Sequence, residues 1–163
     1  MRGGVAVALL LGALVVVVSP AGAGARWLTV AVPAMTVSAA PQVASAHAVR
    51  LEVTLRYQMQ CGYPGKGPLR VTFPSAMSLP QSFASRAVRL NGKRIAARVK
   101  GRRVSVSVPP PKGVLCNTIG PGSVTLAFTR AAKLRNPSRP GSYGFRATHA
   151  GHSFTAKLPI KPA

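Results

Sequence analysis

The sequence predicts an all-β protein, a sandwich of about seven or eight short, mostly antiparallel strands. Three observations support this fold class. Apolar and polar residues alternate strictly from Val49 to Cys61, turn-forming residues recur about every 8–12 positions, and no segment keeps a helical period beyond a turn or two. Alternation sends successive side chains to opposite faces of a strand, so it indicates sheets with one buried face.

The first strands follow from this pattern in chain order. Val49 to Cys61 is the clearest strand, and Gly62 to Pro68 follows it as a turn rich in glycine and proline. Leu69 to Phe73 is a short strand that ends at Pro74, since proline cannot donate a backbone hydrogen bond. Residues 75–85 are expected to be irregular, with one helical turn at most.

The middle of the chain predicts a meander of three short strands. Asn91-Gly92, the strongest short hairpin signal, joins a strand at Ala87 to Leu90 to a return strand at Lys93 to Lys100. Gly101-Arg102 then turns the chain into Arg103 to Val108, where valines alternate with serines. These strands are expected to be neighbours in one sheet.

The remaining strands lie in the last part of the chain. Ser123 to Arg130 places its apolar residues on one face, and a proline-rich turn follows at Asn136 to Gly141. Tyr143 to His149 and Ser153 to Leu158 are then expected as a hairpin with its tip at Ala150-Gly151.

Four motifs resemble those of a small immunoglobulin-like module found in bacterial secreted and cell-surface proteins, mainly over residues 71–160. They are Val71-Thr72-Phe73-Pro74, Ser78-Leu79-Pro80, Val88-Arg89-Leu90-Asn91-Gly92 and the turn from Asn136-Pro137 to Gly141-Ser142-Tyr143. The resemblance implies an immunoglobulin-like β-sandwich with a structural or interaction role, and it carries over no catalytic residue. The cysteine pair and the strong basicity depart from the usual pattern of the module.

The N-terminal region has the layout of a secretory signal. Met1-Arg2 precedes an apolar run from Val5 to Val18, and Ala23-Gly24-Ala25 has the small-residue form that a signal peptidase cuts. Residues 1–25 are therefore predicted to be a signal peptide. The protein is expected to be secreted or associated with the cell envelope.

A second segment of the same layout covers residues 26–46 and ends in Ala44-Ser45-Ala46. Either it is an apolar leader of the mature protein, or the signal extends over residues 1–46. The second alternative is preferred, because regular structure is expected to begin directly after Ala46. Residues 47–163 then form one β-sandwich domain of common size.

The charge balance points to anionic partners. The chain has 22 lysines and arginines, and Glu52 is its one acidic residue. Such a surface attracts an anionic cell-wall polymer, an acidic glycan or an acidic envelope protein. The export signal argues against nucleic acid, and contact with a membrane is expected to be peripheral at most.

The basic residues are densest between residues 86 and 103. The candidate anion-binding residues are Arg89, Lys93, Arg94, Arg98, Arg102 and Arg103. If the arginines at 89, 98 and 103 and Lys93 share one sheet face, they form a flat cationic patch. The alternative is a solvated surface that only makes the protein soluble.

A single carboxylate excludes most hydrolytic chemistry. Paired-carboxylate catalysis and a calcium site both need several carboxylates, and a serine–histidine–aspartate triad lacks its aspartate. Glu52 lies on the polar face of the first strand and is expected to pair with Arg50 or with a cross-strand arginine. The sequence therefore predicts no enzyme activity and no cofactor.

Cys61 and Cys116 are the two cysteines of an exported chain, which predicts one disulfide. It would close a loop of roughly 55 residues and stabilise the fold by about 3–4 kcal/mol. Cys61 is expected on the apolar face of the first strand. The alternative is a pair of buried free thiols.

The histidines suggest a different function, a copper-handling protein. Cleavage after Ala46 would let the α-amine and imidazole of His47 chelate copper, with His152 and the nearby His149 as further ligands if the first strand starts beside the last hairpin tip. The positive charge and the lack of orienting carboxylates argue against it. A cationic membrane-active protein is a third possibility. The preferred prediction is an exported, basic, non-catalytic structural or binding domain.

Overall fold

Ten strands run through residues 32–109 and 118–163, which are the part of the chain that the computed structural model describes. In chain order they are β1 (Ala34–Ala40), β2 (Arg50–Gln60), β3 (Gly67–Thr72), β4 (Val88–Leu90), β5 (Lys93–Arg94), β6 (Ala97–Lys100), β7 (Arg103–Val108), β8 (Ile119–Phe128), β9 (Gly141–His149) and β10 (His152–Ile160). A 3-10 turn at Arg130–Ala132 is the one helical element of the described residues. The predicted signal peptide, residues 1–25, and Cys116 lie outside them.

The strands form two five-stranded sheets packed face to face. The first sheet has the order β1-β2-β8-β4-β5, and the second has the order β10-β9-β3-β7-β6. Every pair of neighbouring strands in them is antiparallel. The predicted all-β sandwich is confirmed. The strand number is ten because β1 was not foreseen and because one predicted strand is divided.

The core lies between the inner faces of the two sheets. Alternate residues of β2 from Leu51 to Met59 are all at most 2% exposed, as their periodicity predicts. The ring of Phe73 lies 5.4 Å from that of Phe128 on the first sheet and 5.3 Å from that of Phe145 on the second, measured between centroids. This aromatic group joins the two layers at the centre of the sandwich.

The predicted meander is divided between the two sheets. The hairpin at Asn91-Gly92 is confirmed, since both residues have positive φ and connect β4 to β5. The predicted return strand from Lys93 to Lys100 is wrong as a single strand, because the chain leaves the first sheet after Arg94. It continues as β6, which pairs with β7 in the second sheet. Partly buried Ala97 and Val99 of β6 pack there against the core.

β1 precedes the second cleavage-like triplet, so the expectation that regular structure begins after Ala46 is wrong. Seven residue pairs join β1 to β2, from Ala34 opposite Arg56 to Ala40 opposite Arg50. Met35 is buried against the core. The small residues of β1 give little periodic signal, but their backbone groups complete the hydrogen bonding of β2. The cleavage site itself stays a prediction.

The Asn-Pro turn of the sequence holds the chain between β1 and β2. The side-chain amide of Asn136, which is 2% exposed, donates to the carbonyls of Pro41 at 3.0 Å and Val43 at 2.9 Å. At the other end of the turn, the Tyr143 hydroxyl donates to the carbonyl of Arg139 at 2.8 Å. These bonds give the motif from Asn136 to Tyr143 a structural role.

Candidate anion-binding surface

Six cations project from the outer face of the second sheet, at positions that alternate with core residues along their strands. They are Arg70, Arg98, Lys100, Arg103, Arg146 and Lys157, and all six are exposed. We call this group the cationic face. It combines residues from five strands, so the sheet brings together charges that are far apart in sequence.

The strand register places hydroxyl groups between these cations. In one row across the sheet, Arg146 of β9 lies opposite Thr72 of β3, which lies opposite Arg103 of β7. In the next row, Arg70 lies opposite Ser105. Strands are about 4.8 Å apart, so the cations on either side of Thr72 or Ser105 are separated by roughly 10 Å, whereas Arg103 and Lys100 lie directly opposite each other. The surface therefore places a hydroxyl group between two arginines in each of these rows.

No acidic residue lies on the cationic face, because Glu52 is on the outer face of the first sheet. Its direct cross-strand neighbours are Ser38 and Ala127, so the expected arginine does not lie opposite it. Glu52 lines a depression of about 600 Å³ together with Arg50 and other residues of the first sheet. The charge of the first sheet is thus partly balanced, whereas that of the cationic face is not.

The predicted anion-binding residues are distributed over both sheets. Arg98 and Arg103 belong to the cationic face, whereas Arg89, Lys93 and Arg94 lie on β4 and β5 at the edge of the first sheet. The condition for one flat patch is not met, because the chain crosses between sheets after Arg94. Their part in binding stays a prediction.

Arg102 has an internal role instead. Its guanidinium donates to the carbonyls of Phe73 at 3.3 Å and Met77 at 2.8 Å, and also to that of Pro74. The side chain is half-buried and holds the loop after β3 against the β6–β7 turn. Arg102 is therefore not part of the cationic face.

Sequence reasoning did not select the other four members of the cationic face, which are Arg70, Lys100, Arg146 and Lys157. Each of them occupies a polar position in a strand that the sequence did predict. Strand parity was the available signal, but it shows only that a residue points outwards. The sheet to which each strand belongs was the missing information.

The histidines lie at two separate places. His47 lies in the β1–β2 connection, and its Nε2 accepts a hydrogen bond from Nε of Arg135 at 3.0 Å. His149 and His152 face each other where β9 turns into β10. The chain before His47 meets Lys161, just past the far end of β10, roughly 31 Å from His152 at about 3.4 Å per residue.

The premise that the first strand starts beside His152 is therefore wrong, since the length of β10 separates His47 from His152. Copper binding itself stays a prediction. Within the described residues, no group of three or more histidine, cysteine or acidic side chains is placed to hold a metal. His47 is held by Arg135, a cation, which adds to the repulsion of a metal ion.

His149 and Tyr57 form a buried polar pair at the hairpin end. Their ring centroids are 6.1 Å apart, and each residue is 2% exposed. Neither ring nitrogen of His149 nor the Tyr57 hydroxyl has a hydrogen-bond partner among the described residues. Burial lowers the pKa of His149, and the backbones of Pro68 and Gly65 raise it by a smaller amount. Burial also raises the pKa of Tyr57, to about 12.

Cys61 lies just past the end of β2, so it does not continue the apolar face of that strand as expected. It is half-buried, with the left-handed φ of 56° that turns the chain away from the sheet. Its backbone N–H donates to the carbonyl of Thr118 at 2.7 Å. Cys116 is outside the described residues, so the disulfide stays a prediction.

Large exposed apolar side chains of the described residues gather at one end of the first sheet. They are Val32, Tyr63 and Ile119, which are 78%, 43% and 72% exposed. Tyr63 and Ile119 both pair with Gln60 at the end of β2, and Val32 lies two residues before Ala34, which pairs with Arg56. We call these three residues the apolar end.

The fold is similar to that of known β-sandwiches. No protein-family model and no curated protein matches the chain. The crystal structure of BslA, described as a bacterial hydrophobin, is similar with a TM-score of 0.54 and 17% identity, over 81% of this chain and 100% of that one. A non-cellulosomal cohesin from the hyperthermophilic archaeon Archaeoglobus fulgidus has a TM-score of 0.35 and 13% identity, over 78% of this chain and 91% of that one.

The BslA structure is similar to the chain in fold alone, and it supports the β-sandwich part of the resemblance seen in the sequence. Within the described residues, no helix has the length and apolarity needed to cross a membrane.

Proposed function

We propose that the protein is an exported, non-catalytic structural or binding domain that attaches to an anionic cell-wall polymer or acidic glycan through the cationic face. The observation that carries this proposal is the group of six exposed cations on one sheet surface with no acid among them. Like charges held this close repel each other, and binding a polyanion relieves the repulsion. The similarity to a bacterial hydrophobin is compatible with a non-catalytic role.

The interleaved hydroxyl groups support a polymer as the ligand. Thr72 and Ser105 lie between arginines and can donate to anionic oxygens or to sugar hydroxyls. A solvated surface that serves only solubility does not need hydroxyl groups placed between its arginines.

Charge-matched variants test the proposal. One variant replaces Arg70, Arg98, Arg103 and Arg146 with Gln, and its control replaces Arg50, Arg56, Arg89 and Arg94 on the first sheet. Each loses four charges from exposed strand positions. Binding to heparin or to purified wall polymer is measured against salt concentration. The salt slope should fall by on the order of one per arginine in the first variant, because fewer counterions are released.

The control should keep most of the slope and most of the affinity. If both variants lost equal amounts of affinity and salt slope, net charge and not the cationic face would determine binding. Binding that does not depend on salt would also contradict the proposal.

The apolar end favours a second candidate, a cationic protein that acts at membrane surfaces. Val32, Tyr63 and Ile119 would enter the lipid while the basic surface attracts anionic head groups. The test is binding to phosphatidylglycerol vesicles at high salt, where charge attraction is screened. Tyr63→Ser with Ile119→Ser should abolish it if this candidate is right, while polymer binding at low salt remains.

A further inference from the structure

A shallow depression interrupts the cationic face at Gly144. It has a volume of about 550 Å³. Its polar rim is formed by Thr72, Arg146, Thr155 and Lys157, and it is also lined by apolar residues, which are Phe73, Phe145 and Ala156. All four rim residues occupy outward positions of their strands, opposite in parity to the buried residues. The depression is thus part of the proposed binding surface.

The fold does not require a glycine at position 144. Its φ is outside the left-handed region, and a Cβ atom there would meet nothing within 4 Å. Gly122 of β8 is different, because a Cβ there would come within 2.5 Å of Sδ of Met59. A glycine inside a strand is destabilising relative to alanine and often marks a place where a ligand approaches the backbone. Because Gly144 has no side chain, the depression above it stays open.

The register surrounds this space with donors. Thr155 lies opposite Arg146, which lies opposite Thr72, and in the next row Lys157 lies opposite Gly144. The site therefore combines a guanidinium, an ammonium and two hydroxyl groups. A phosphate or sulfate monoester has three terminal acceptor oxygens, and a phosphate within a chain has two non-bridging and two bridging oxygens in tetrahedral positions, whereas both oxygens of a carboxylate lie in one plane. Four donors on several sides match the tetrahedral group better.

We propose that the depression at Gly144 is a subsite for a phosphate or sulfate group carried by a polyanionic chain. This inference rests on the proposed function and names the chemical group that the same surface selects. The row of cations continues from Arg146 to Arg103 and Lys100, which suits a ligand with repeated anions. The large exposed apolar side chains of the described residues lie on the first sheet and the loops beside it, so none of these is on the cationic face to insert into lipid.

Filling the depression tests the subsite. Gly144→Val adds a side chain where a Cβ has room, and its control, Ser123→Val, adds the same side chain on the outer face of the first sheet. The probes are polyphosphate, heparin fragments as the sulfate polymer, and polygalacturonate as the carboxylate polymer. Gly144→Val should bind the phosphate and sulfate polymers about tenfold more weakly, a loss of about 1.4 kcal/mol. Its affinity for polygalacturonate should change little.

The melting temperature separates loss of the site from loss of the fold. It should rise by about 2–4 °C in Gly144→Val, since valine suits a strand interior better than glycine. Ser123→Val should bind all three polymers as the wild type does. Lys157→Gln, which keeps the depression open, should also weaken phosphate binding more than carboxylate binding.

The outcomes distinguish the two proposals. If the wild type binds none of the polymers at low salt, the proposed function is wrong. If the wild type binds but Gly144→Val binds polyphosphate and heparin equally well, the subsite is wrong and the cationic face stands. If phosphatidylglycerol vesicles bind more tightly than the polymers and Gly144→Val removes that binding, the ligand is a lipid head group and the polymer assignment is wrong.

Discussion

At the scale of single residues, His149 links stability to pH. The unfolded chain titrates this group near its ordinary pKa of 6.5, while the folded protein holds it neutral to lower pH because charging a buried imidazole is costly. Below pH 6.5 the unfolded state therefore binds more protons than the folded state. By linkage, the lowered pKa of His149 has no effect on the free energy of unfolding above pH 6.5. Below that pH, it reduces the free energy of unfolding as the solution becomes more acidic.

Replacing His149 with Phe should remove this acid sensitivity. Phenylalanine fills a similar volume and has no ring nitrogen to leave unpaired, so stability at pH 8 should change little or rise slightly. The wild type should lose stability between pH 7 and pH 5, and the variant should lose clearly less. Urea unfolding at each pH measures the difference. His47→Gln is the control, and an equal pH dependence in all three proteins would show that His149 is not responsible.

At the scale of elements, β1 shows how little local sequence an edge strand needs. The alternation in β2 predicted that strand to within one residue at each end, because one face of it is fully buried. β1 has small residues of mixed exposure, and it is determined by pairing with a strand that comes later in the chain. Local periodicity cannot report such pairing. It also could not show that β5 and β6 lie in different sheets.

The position of β1 predicts where the mature protein begins. Cleavage after Ala46 would remove an edge strand with seven paired residues and the buried side chain of Met35. We therefore expect the exported protein to start at Arg26, with β1 retained. Intact mass measurement of secreted material gives the answer directly. A mass that corresponds to a start at His47 would contradict the prediction.

Asn136 should be needed to keep β1 in place. Asn136→Ala removes two hydrogen bonds and leaves the carbonyls of Pro41 and Val43 without this donor, which should cost about 1–3 kcal/mol of the free energy of unfolding. Chemical denaturation measures the loss. Exchange of β1 amide hydrogens should accelerate more than exchange in β9. Uniform acceleration across both sheets would show that Asn136 supports the whole fold instead.

The disulfide is a prediction at the same scale. Thr118, whose carbonyl accepts from the N–H of Cys61, is only two residues after Cys116. A segment this short would allow the two cysteines to meet. Reduction, or replacement of both by Ala, should lower stability by about 3–4 kcal/mol if the loop is closed in the native protein. Alkylation of two thiols in unreduced native protein would refute the bridge.

At the scale of the whole molecule, the sandwich assembles a site that the sequence does not display. The composition predicted an anionic partner, and the alternation predicted which residues point outwards. The cationic face nevertheless unites Arg70, Arg98, Arg146 and others from strands far apart in the chain. Arg89 and Lys93 are closer in sequence to Arg98 but belong to the other sheet. Sheet membership depends on long-range packing, and this is the information that residue patterns lack.

The two outer surfaces of the sandwich face in opposite directions, and both carry arginines. A molecule attached by its cationic face occupies only roughly 14 Å of a polymer that crosses from β9 to β6, at about 4.8 Å per strand. It turns Arg50, Arg56 and Arg89 of the first sheet away from that polymer. A densely covered polymer would therefore reverse its direction of migration in an electric field and adhere to a second, uncovered polymer. One protein layer would then act as a cross-link between two anionic chains.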